Sequence, residues 1–77
     1  MKITVINESQ TRLLIAQKGF NLRSFSEMIS ISPPYLSQVL NGKRNPSPVV
    51  AKKIAGGLGE SMEDIFFVNN GNKATND

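Results

Sequence analysis

The segment from Phe20 to Gly42 (FNLRSFSEMISISPPYLSQVLNG) constrains the fold of this chain more than any other segment. Its residues predict two short helices joined by a tight turn. Asn21 can cap the first helix, Leu22 to Ile29, because an asparagine side chain accepts a hydrogen bond from a backbone N–H that has no partner within the helix. Ser32 followed by Pro33 is a cap followed by proline at the first helical position, so a second helix is predicted to begin there.

The apolar residues of both predicted helices recur at the helical period. In the first helix, the 3.6-residue repeat places four apolar side chains on one side: Leu22, Phe25, Met28 and Ile29. The second helix, Pro33 to Asn41, turns apolar residues inward (Leu36, Val39, Leu40) and leaves the others outward (Pro34, Ser37, Gln38, Asn41). Gly42 is the expected C-terminal stop. A second helix with a short polar outer face, held on the first by apolar contacts, is what a DNA-binding helix-turn-helix needs.

The residues Ser32 to Ser47, SPPYLSQVLNGKRNPS, resemble the recognition helix and following loop of the lambda-repressor-like, Cro-type helix-turn-helix domains, the XRE-type regulators of phages and bacteria. The NGKRNPS segment is the most specific part, and the resemblance covers roughly residues 8 to 67. The resemblance implies an all-α fold, a compact four- to five-helix lambda-repressor-like DNA-binding domain with its motif at residues 21–41.

Several positions depart from the pattern of that family. Many members pair an arginine with a glutamate across the domain where this chain has Ile15 and Leu40, so the resemblance implies a hydrophobic contact in place of an ion pair. Ser26 stands where alanine is usual, and serine is still small enough for two helices to approach closely. Ser30 stands at the turn position usually held by glycine, where a positive φ would cost a non-glycine residue on the order of 1 kcal/mol.

The first six residues, MKITVI, are rich in β-branched side chains and predict a short N-terminal β-strand, a strand-like arm over residues 1–6. A lone strand must pair with something. One candidate is Ile65 to Val68 of the same chain, and the other is the same strand of a second subunit. The candidates for strand pairing or for a dimer interface are Ile3, Val5, Phe67 and Val68. Ile65 and Phe66 are expected to lie in the core.

The helices outside the motif also have sequence signals. Asn7 is the predicted cap of a first helix, and Gly19 its stop. Ser47 with Pro48 predicts the start of a fourth helix. A fifth element begins at Ser61, and the apolar run that ends at Val68 supplies its apolar side. The helix-turn-helix domain is therefore predicted to span residues 7–68, and the polar residues 69–77 to form a disordered tail.

The composition argues against several classes of function. Seventy-seven residues allow one small domain, and the chain contains neither cysteine nor histidine. That absence excludes disulfide bonds, thiolate or imidazole metal sites and the usual nucleophile–base pairs, so we expect no enzyme activity, no metal and no cofactor. No apolar run approaches the roughly 18 residues of a membrane span, and no signal peptide is recognisable. A cytoplasmic protein without a membrane partner is therefore expected.

Basic residues are concentrated in the centre of the chain. Between Thr11 and Gly59 there are seven lysines and arginines but one acid, Glu27, although the net charge of the whole chain is only +3. Such a basic centre suits a face that meets phosphate groups. An ordinary solvated basic surface explains the same pattern equally well, so charge alone does not decide between the two.

Two kinds of DNA contact are expected, because holding the DNA backbone and distinguishing the bases need different groups. The candidates for backbone contacts are the polar and basic residues at the start of the first motif helix, the cap of the second and the loop that follows: Asn21, Arg23, Ser32, Asn41, Lys43 and Arg44. Alternative roles for Asn21 and Asn41 are a helix cap and a helix end.

The candidates for base contacts lie on the exposed part of the second helix: Gln38, Ser37, Tyr35, Pro34 and Pro33. Gln38 is the strongest, because its amide can form a bidentate pair with adenine in the major groove. Tyr35 could instead cover the contact between the two helices. The two prolines offer only apolar contacts, such as with a thymine methyl group, and they remove N–H groups from the helix N-terminus. We therefore expect few direct base contacts and a larger share of affinity from the backbone and DNA shape.

These observations favour a small transcriptional regulator, such as a prophage repressor, that binds double-stranded DNA in a sequence-specific way. Domains of this kind normally bind as homodimers to a near-palindromic operator, and a separate protein such as an antirepressor could control them. The alternative function is an antitoxin-like protein that binds a toxin partner and autoregulates its genes. A third hypothesis is a protein-interaction module that has lost DNA binding, for which the double proline is the main argument.

Overall fold

The computed structural model describes residues 1–69. These residues form five short helices and a small antiparallel sheet of two strands, which join the two ends of the described chain. Within this range, no helix has the combined length and apolar character needed to cross a membrane. In chain order the elements are β1 (Lys2–Val5), α1 (Glu8–Gln17), α2 (Leu22–Met28), α3 (Pro33–Leu40), α4 (Pro48–Gly57), α5 (Met62–Ile65) and β2 (Phe66–Asn69).

The predicted caps at the motif helices are present. The Asn21 side chain accepts a hydrogen bond of 2.8 Å from the Ser24 N–H, and the Ser24 hydroxyl accepts one of 3.0 Å from the Asn21 N–H. This reciprocal pair is a capping box. At α3, the Ser32 hydroxyl accepts from the Tyr35 N–H at 3.3 Å, and Pro33 occupies the first helical position. Local hydrogen bonds therefore set where both helices of the motif begin.

The turn between α2 and α3 depends on a backbone conformation that is unusual for serine. Ser30 has φ 63°, so the cost that a positive φ brings to a non-glycine residue applies here, on the order of 1 kcal/mol. The following N–H, of Ile31, donates to the Ser26 carbonyl at 2.9 Å. Ser26 itself is buried, and its hydroxyl donates to the Arg23 carbonyl at 2.7 Å, so this buried polar group has a partner.

One core surrounds the motif and takes side chains from every helix and from both strands. Ile15 and Leu40 are both buried in it, as expected for an apolar substitute of the family's ion pair. Met28 is an exception to the predicted inner face of α2, since 48% of it is exposed. The buried side of α2 includes Phe25 and Ile29, and Met28 lies about 100° around the helix from Ile29. The fully buried large side chains include Phe25, Leu36, Ile54, Leu58 and Phe66.

The N-terminal strand pairs within the chain. β1 runs antiparallel to β2 with Ile3 opposite Val68 and Val5 opposite Phe66. Ile3 and Phe66 are buried, so the arm is part of the domain's core. Since residues directly opposite each other share one face of a sheet, these four side chains lie on the same face, where Val5 packs against the core and Val68 is exposed. The two paired strands contain all four candidates for strand pairing or for a dimer interface: Ile3, Val5, Phe67 and Val68.

The last elements of the described chain differ from the sequence prediction. The sequence predicted one fifth element whose apolar side extends to Val68, whereas the structure has a helix followed by a strand. α5 ends at Ile65, and the chain then becomes a strand, because Phe66 to Val68 can pair with β1. The short apolar run suits a strand as well as a helix, and the partner strand decides between them. β2 extends to Asn69, so the first residue of the predicted tail 69–77 is part of the sheet. Its remainder, 70–77, lies outside the described residues.

A close contact between helices explains one glycine of α4. A Cβ added at Gly57 would lie 2.9 Å from Cγ2 of Ile29 and 3.0 Å from the ring atoms Cε1 and Cζ of Phe25. These atoms belong to buried side chains and have little room to move. At the neighbouring Gly56, an added Cβ would meet nothing within 4 Å. Gly57 is therefore needed for packing, whereas Gly56 is not.

We expect Gly57→Ala to lower the free energy of unfolding by about 1–3 kcal/mol, because the added methyl group overpacks Ile29 and Phe25. Gly56→Ala, the matched control in the same turn of α4, should raise it by about 0.5–1 kcal/mol through helix propensity. Urea unfolding followed by circular dichroism measures both. Stabilisation of the same size by both substitutions would contradict the close packing at Gly57.

Candidate nucleic-acid interface

The second helix of the motif presents one continuous outward face. Leu36, Val39 and Leu40 are buried and fix α3 on the core. Pro34, Gln38 and Asn41 are exposed, and Pro33, Tyr35 and Ser37 are half-buried. The predicted base-contact residues thus lie together on the outer side of one helix, in an arrangement that can enter a groove.

The N-terminus of α3 has few free N–H groups, although Ser32 was predicted to contact the DNA backbone there. Pro33 and Pro34 have no N–H, and the N–H groups of Tyr35 and Leu36 donate to the Ser32 hydroxyl and carbonyl oxygens. A helix N-terminus usually binds an anion through such groups. At this helix a phosphate would have to use side chains instead, and the Ser32 hydroxyl can still donate.

The loop after α3 is fixed to that helix by its own backbone. The N–H groups of Lys43 and Arg44 both donate to the Gln38 carbonyl, at 2.9 and 3.2 Å. The Asn41 side-chain oxygen accepts a hydrogen bond of 3.1 Å from the N–H of Lys43, two residues further along the chain. Both basic side chains are exposed. Two positive charges are therefore held beside the outward face of α3 by backbone geometry.

The same loop is attached to the sheet through a residue that the sequence did not identify. Asn45 donates from its side-chain Nδ2 to the Ile3 carbonyl in β1, at 3.1 Å. The neighbouring Pro46 is buried. The loop is thus held between α3 and the N-terminal strand. No local sequence signal could reveal this contact, since 42 positions separate the two residues.

Arg44 connects two of the predicted base-contact residues. Its Nε donates to Oε1 of Gln38 at 3.1 Å, and its guanidinium carbon lies 5.3 Å from the centre of the Tyr35 ring. A guanidinium at this distance from an aromatic ring makes a cation–π contact. The sequence assigned Arg44 to the DNA backbone and the other two residues to bases, and it did not predict that the three are in contact.

The start of α2 supplies the other predicted backbone contacts. Asn21 uses its side-chain oxygen as a helix cap, which leaves its NH₂ group for a further partner. Arg23 forms an exposed ion pair with Glu27, with 3.4 Å between Nε and Oε2. Such pairs contribute little free energy, so Arg23 can exchange this partner for a phosphate. In the part of the chain that the structure describes, the other ion pair joins Arg12 to Glu8, and neither involves Lys43 or Arg44.

A helix-turn-helix family model matches residues 12–65, which contain α2, α3 and the loop after them. The chain belongs to the Cro/C1-type helix-turn-helix family. Both strands of the sheet, β1 and β2, lie outside the matched residues.

Two relatives of this helix-turn-helix chain have names that describe regulators. The control protein C.MunI of a Mycoplasma species is 42% identical over 43 residues, which make up 56% of this chain and 58% of that protein. The crystal structure of the clp gene regulator ClgR from Corynebacterium glutamicum has a TM-score of 0.64 at 32% identity, covering 74% of this chain and 61% of that one. The chain therefore spans less than two thirds of the length of either relative.

We expect Asn45→Ala to lower the free energy of unfolding by about 1 kcal/mol, because the Ile3 carbonyl loses its side-chain partner. Amide hydrogen exchange measured by NMR should become faster both in the loop 43–47 and in β1. Asn41→Ala is the matched control, since the Asn41 side chain accepts its hydrogen bond from the nearby Lys43 N–H and not from the sheet. This substitution should accelerate exchange at Lys43 but not in β1. Unchanged exchange of β1 in the Asn45 variant would contradict the proposed attachment of loop to sheet.

Proposed function

We propose that this chain is a transcriptional regulator that binds double-stranded DNA in a sequence-specific way, with α3 in the major groove. The observation that carries the proposal is the position of two cations directly beside the exposed polar face of α3: Lys43 and Arg44, which form no ion pair within residues 1–69. A helix is narrow enough to enter the major groove, and cations at its edge can meet the phosphates on either side. Membership in the helix-turn-helix family and the names of the two relatives support this function.

The backbone contacts in this proposal surround α3. Lys43 and Arg44 approach the phosphates from the loop, and Asn41 and Ser32 add hydrogen-bond donors at the two ends of the helix. Asn21 and Arg23 approach from the start of α2, where the Asn21 NH₂ group and the exchangeable Arg23 side chain are available. Such contacts hold the protein in register on the duplex and add affinity for every sequence.

The base contacts come from the outward face of α3. Gln38 provides hydrogen bonds to base edges, and Ser37 and Tyr35 lie beside it on the same helix. Pro33 and Pro34 make apolar contacts, for which the methyl group of thymine is the natural partner. Because few polar groups reach the bases, DNA shape supplies part of the specificity.

Assembly as a homodimer on a near-palindromic operator is part of the same proposal, since one α3 contacts only one half-site. A surface for a second copy, or for a protein partner such as an antirepressor or a toxin, is available on the sheet. Phe67 is 62% exposed, and the alternation of a strand places it away from the buried Phe66. Ile6, the residue that follows β1, is 55% exposed. The antitoxin-like function would use this surface together with DNA binding.

We expect a selection from random duplexes to enrich a near-palindromic sequence, with affinity that falls as salt rises because phosphate contacts release counterions. Gln38→Ala should remove the preference at one position of each half-site. Lys43→Ala should weaken all sequences equally and reduce the slope of log K against log salt by about 1. Fluorescence anisotropy at several salt concentrations measures both variants against the unchanged chain.

Glu63→Gln is the matched control, because Glu63 is an exposed residue of α5 and lies outside the proposed interface. Its affinity and sequence preference should equal those of the unchanged chain. Absence of any salt-sensitive binding by the unchanged chain would contradict the proposed function. In that event, copurification of a second small protein would favour the partner-binding alternative.

A further inference from the structure

We infer that Arg44 sets the base specificity of Gln38 and that the two side chains together select guanine over adenine. This inference rests on the proposed DNA-binding function and deepens it. The sequence predicts that Gln38 forms a bidentate pair with adenine and that Arg44 contacts a backbone phosphate. The contact between these two side chains instead favours guanine at the base that Gln38 meets.

The chemistry of Arg44 fixes which end of the Gln38 amide faces it. A guanidinium has only N–H donors, so the amide oxygen must be the atom at 3.1 Å from Nε, and the NH₂ group points elsewhere. The arginine is itself held at two other points. Its backbone N–H donates to the Gln38 carbonyl at 3.2 Å, and its guanidinium packs on the Tyr35 ring.

No carboxylate competes for Arg44 in the described range 1–69. The two ion pairs found there use Arg12 and Arg23, so Gln38 is the polar side chain that binds the guanidinium. The positive charge of Arg44 therefore stays uncompensated on the outer side of α3. Its remaining N–H groups and the Gln38 NH₂ group form one cluster of hydrogen-bond donors. The acceptor in this cluster is the Gln38 amide oxygen, which already accepts from Arg44.

This cluster suits guanine better than adenine. In the major groove, guanine offers two acceptors, N7 and O6, whereas adenine offers the acceptor N7 beside the N6 donor. A glutamine pairs with adenine by accepting from N6 through its amide oxygen. Arg44 already donates to that oxygen in this structure, so the N6 donor would have to share it with a positively charged guanidinium. Donors from both side chains can meet both guanine acceptors. We expect a preference of about tenfold for guanine at the base that Gln38 contacts, as for a good bidentate pair.

Tyr35 contributes as a positioning residue. Its ring supports the guanidinium, which limits the orientations available to the Gln38 amide. Tyr35→Phe retains the aromatic ring and should keep the Gln38 amide in its restricted orientation. Tyr35→Leu removes the ring and should release the amide. In the free protein, 15N relaxation of the Gln38 side-chain amide measures this restriction directly. We expect a rigid amide in the unchanged chain and in Tyr35→Phe, and a mobile one in Tyr35→Leu and in Arg44→Ala. A Gln38 amide that is equally mobile in all four proteins would overturn the inference without any use of DNA.

The test on DNA uses duplexes that differ at the single base pair whose preference disappears in Gln38→Ala. The unchanged chain should prefer guanine there about tenfold. In Arg44→Ala the freed amide should shift the preference to adenine. Arg44→Lys keeps the charge but loses the planar group that packs on Tyr35, so it should keep the salt dependence while losing most of the guanine preference.

The outcomes separate this inference from the proposed function. A preference for adenine in the unchanged chain would overturn the inference and leave the function intact. Equal weakening of all duplexes by Arg44→Ala, with the base preference unchanged, would do the same, because Arg44 would then be a phosphate contact only. Absence of salt-sensitive binding by the unchanged chain would contradict the function itself, and the relaxation measurement would still decide the inference about the side-chain contact.

Discussion

The complete burial of Phe25 is the interaction on which the other contacts of the motif depend. Its ring lies against α4 at Gly57, where no side chain could fit, and meets the Phe20 ring edge-on at 5.6 Å between centroids. One side chain thus joins α2 to α4 and to the chain that enters α2. With α2 fixed in this way, the Ser30 turn can direct α3 so that its apolar side meets the core and its polar side meets solvent.

The sheet connects the core to the loop beside the proposed DNA surface. Pairing of β1 with β2 brings the two ends of the described chain together, and Ile3 contributes a buried side chain to the core. The carbonyl of the same residue receives the Asn45 side chain. A loop that would otherwise depend on α3 alone is therefore attached on two sides. For the proposed contact of this loop with DNA, the attachment lowers the conformational entropy lost on binding.

The features that the sequence predicts correctly are local ones. Asn21, Ser32 and Ser47 cap helices through hydrogen bonds to residues three positions away, so their signals lie within a few residues. The contacts that it missed join distant parts of the chain, as Asn45 does with Ile3, or depend on side-chain packing, as at Gly57 and Arg44. The secondary structure at Phe66 depends on both kinds of signal. The apolar run Ile65 to Val68 suits a helix or a strand locally, and pairing with the distant β1 decides for the strand. The candidate contact residues could be named from sequence, but their mutual contacts could not.

The central claim is that α3 and the loop 43–47 form one DNA-contacting surface that already has its shape in the free protein. NMR titration of the 15N-labelled chain with an enriched duplex tests it most directly. We predict that the largest changes in chemical shift occur in α3, in the loop and at the start of α2, while those of β1, β2 and α5 are small. Largest changes in the sheet or in α5, with α3 unaffected, would contradict it.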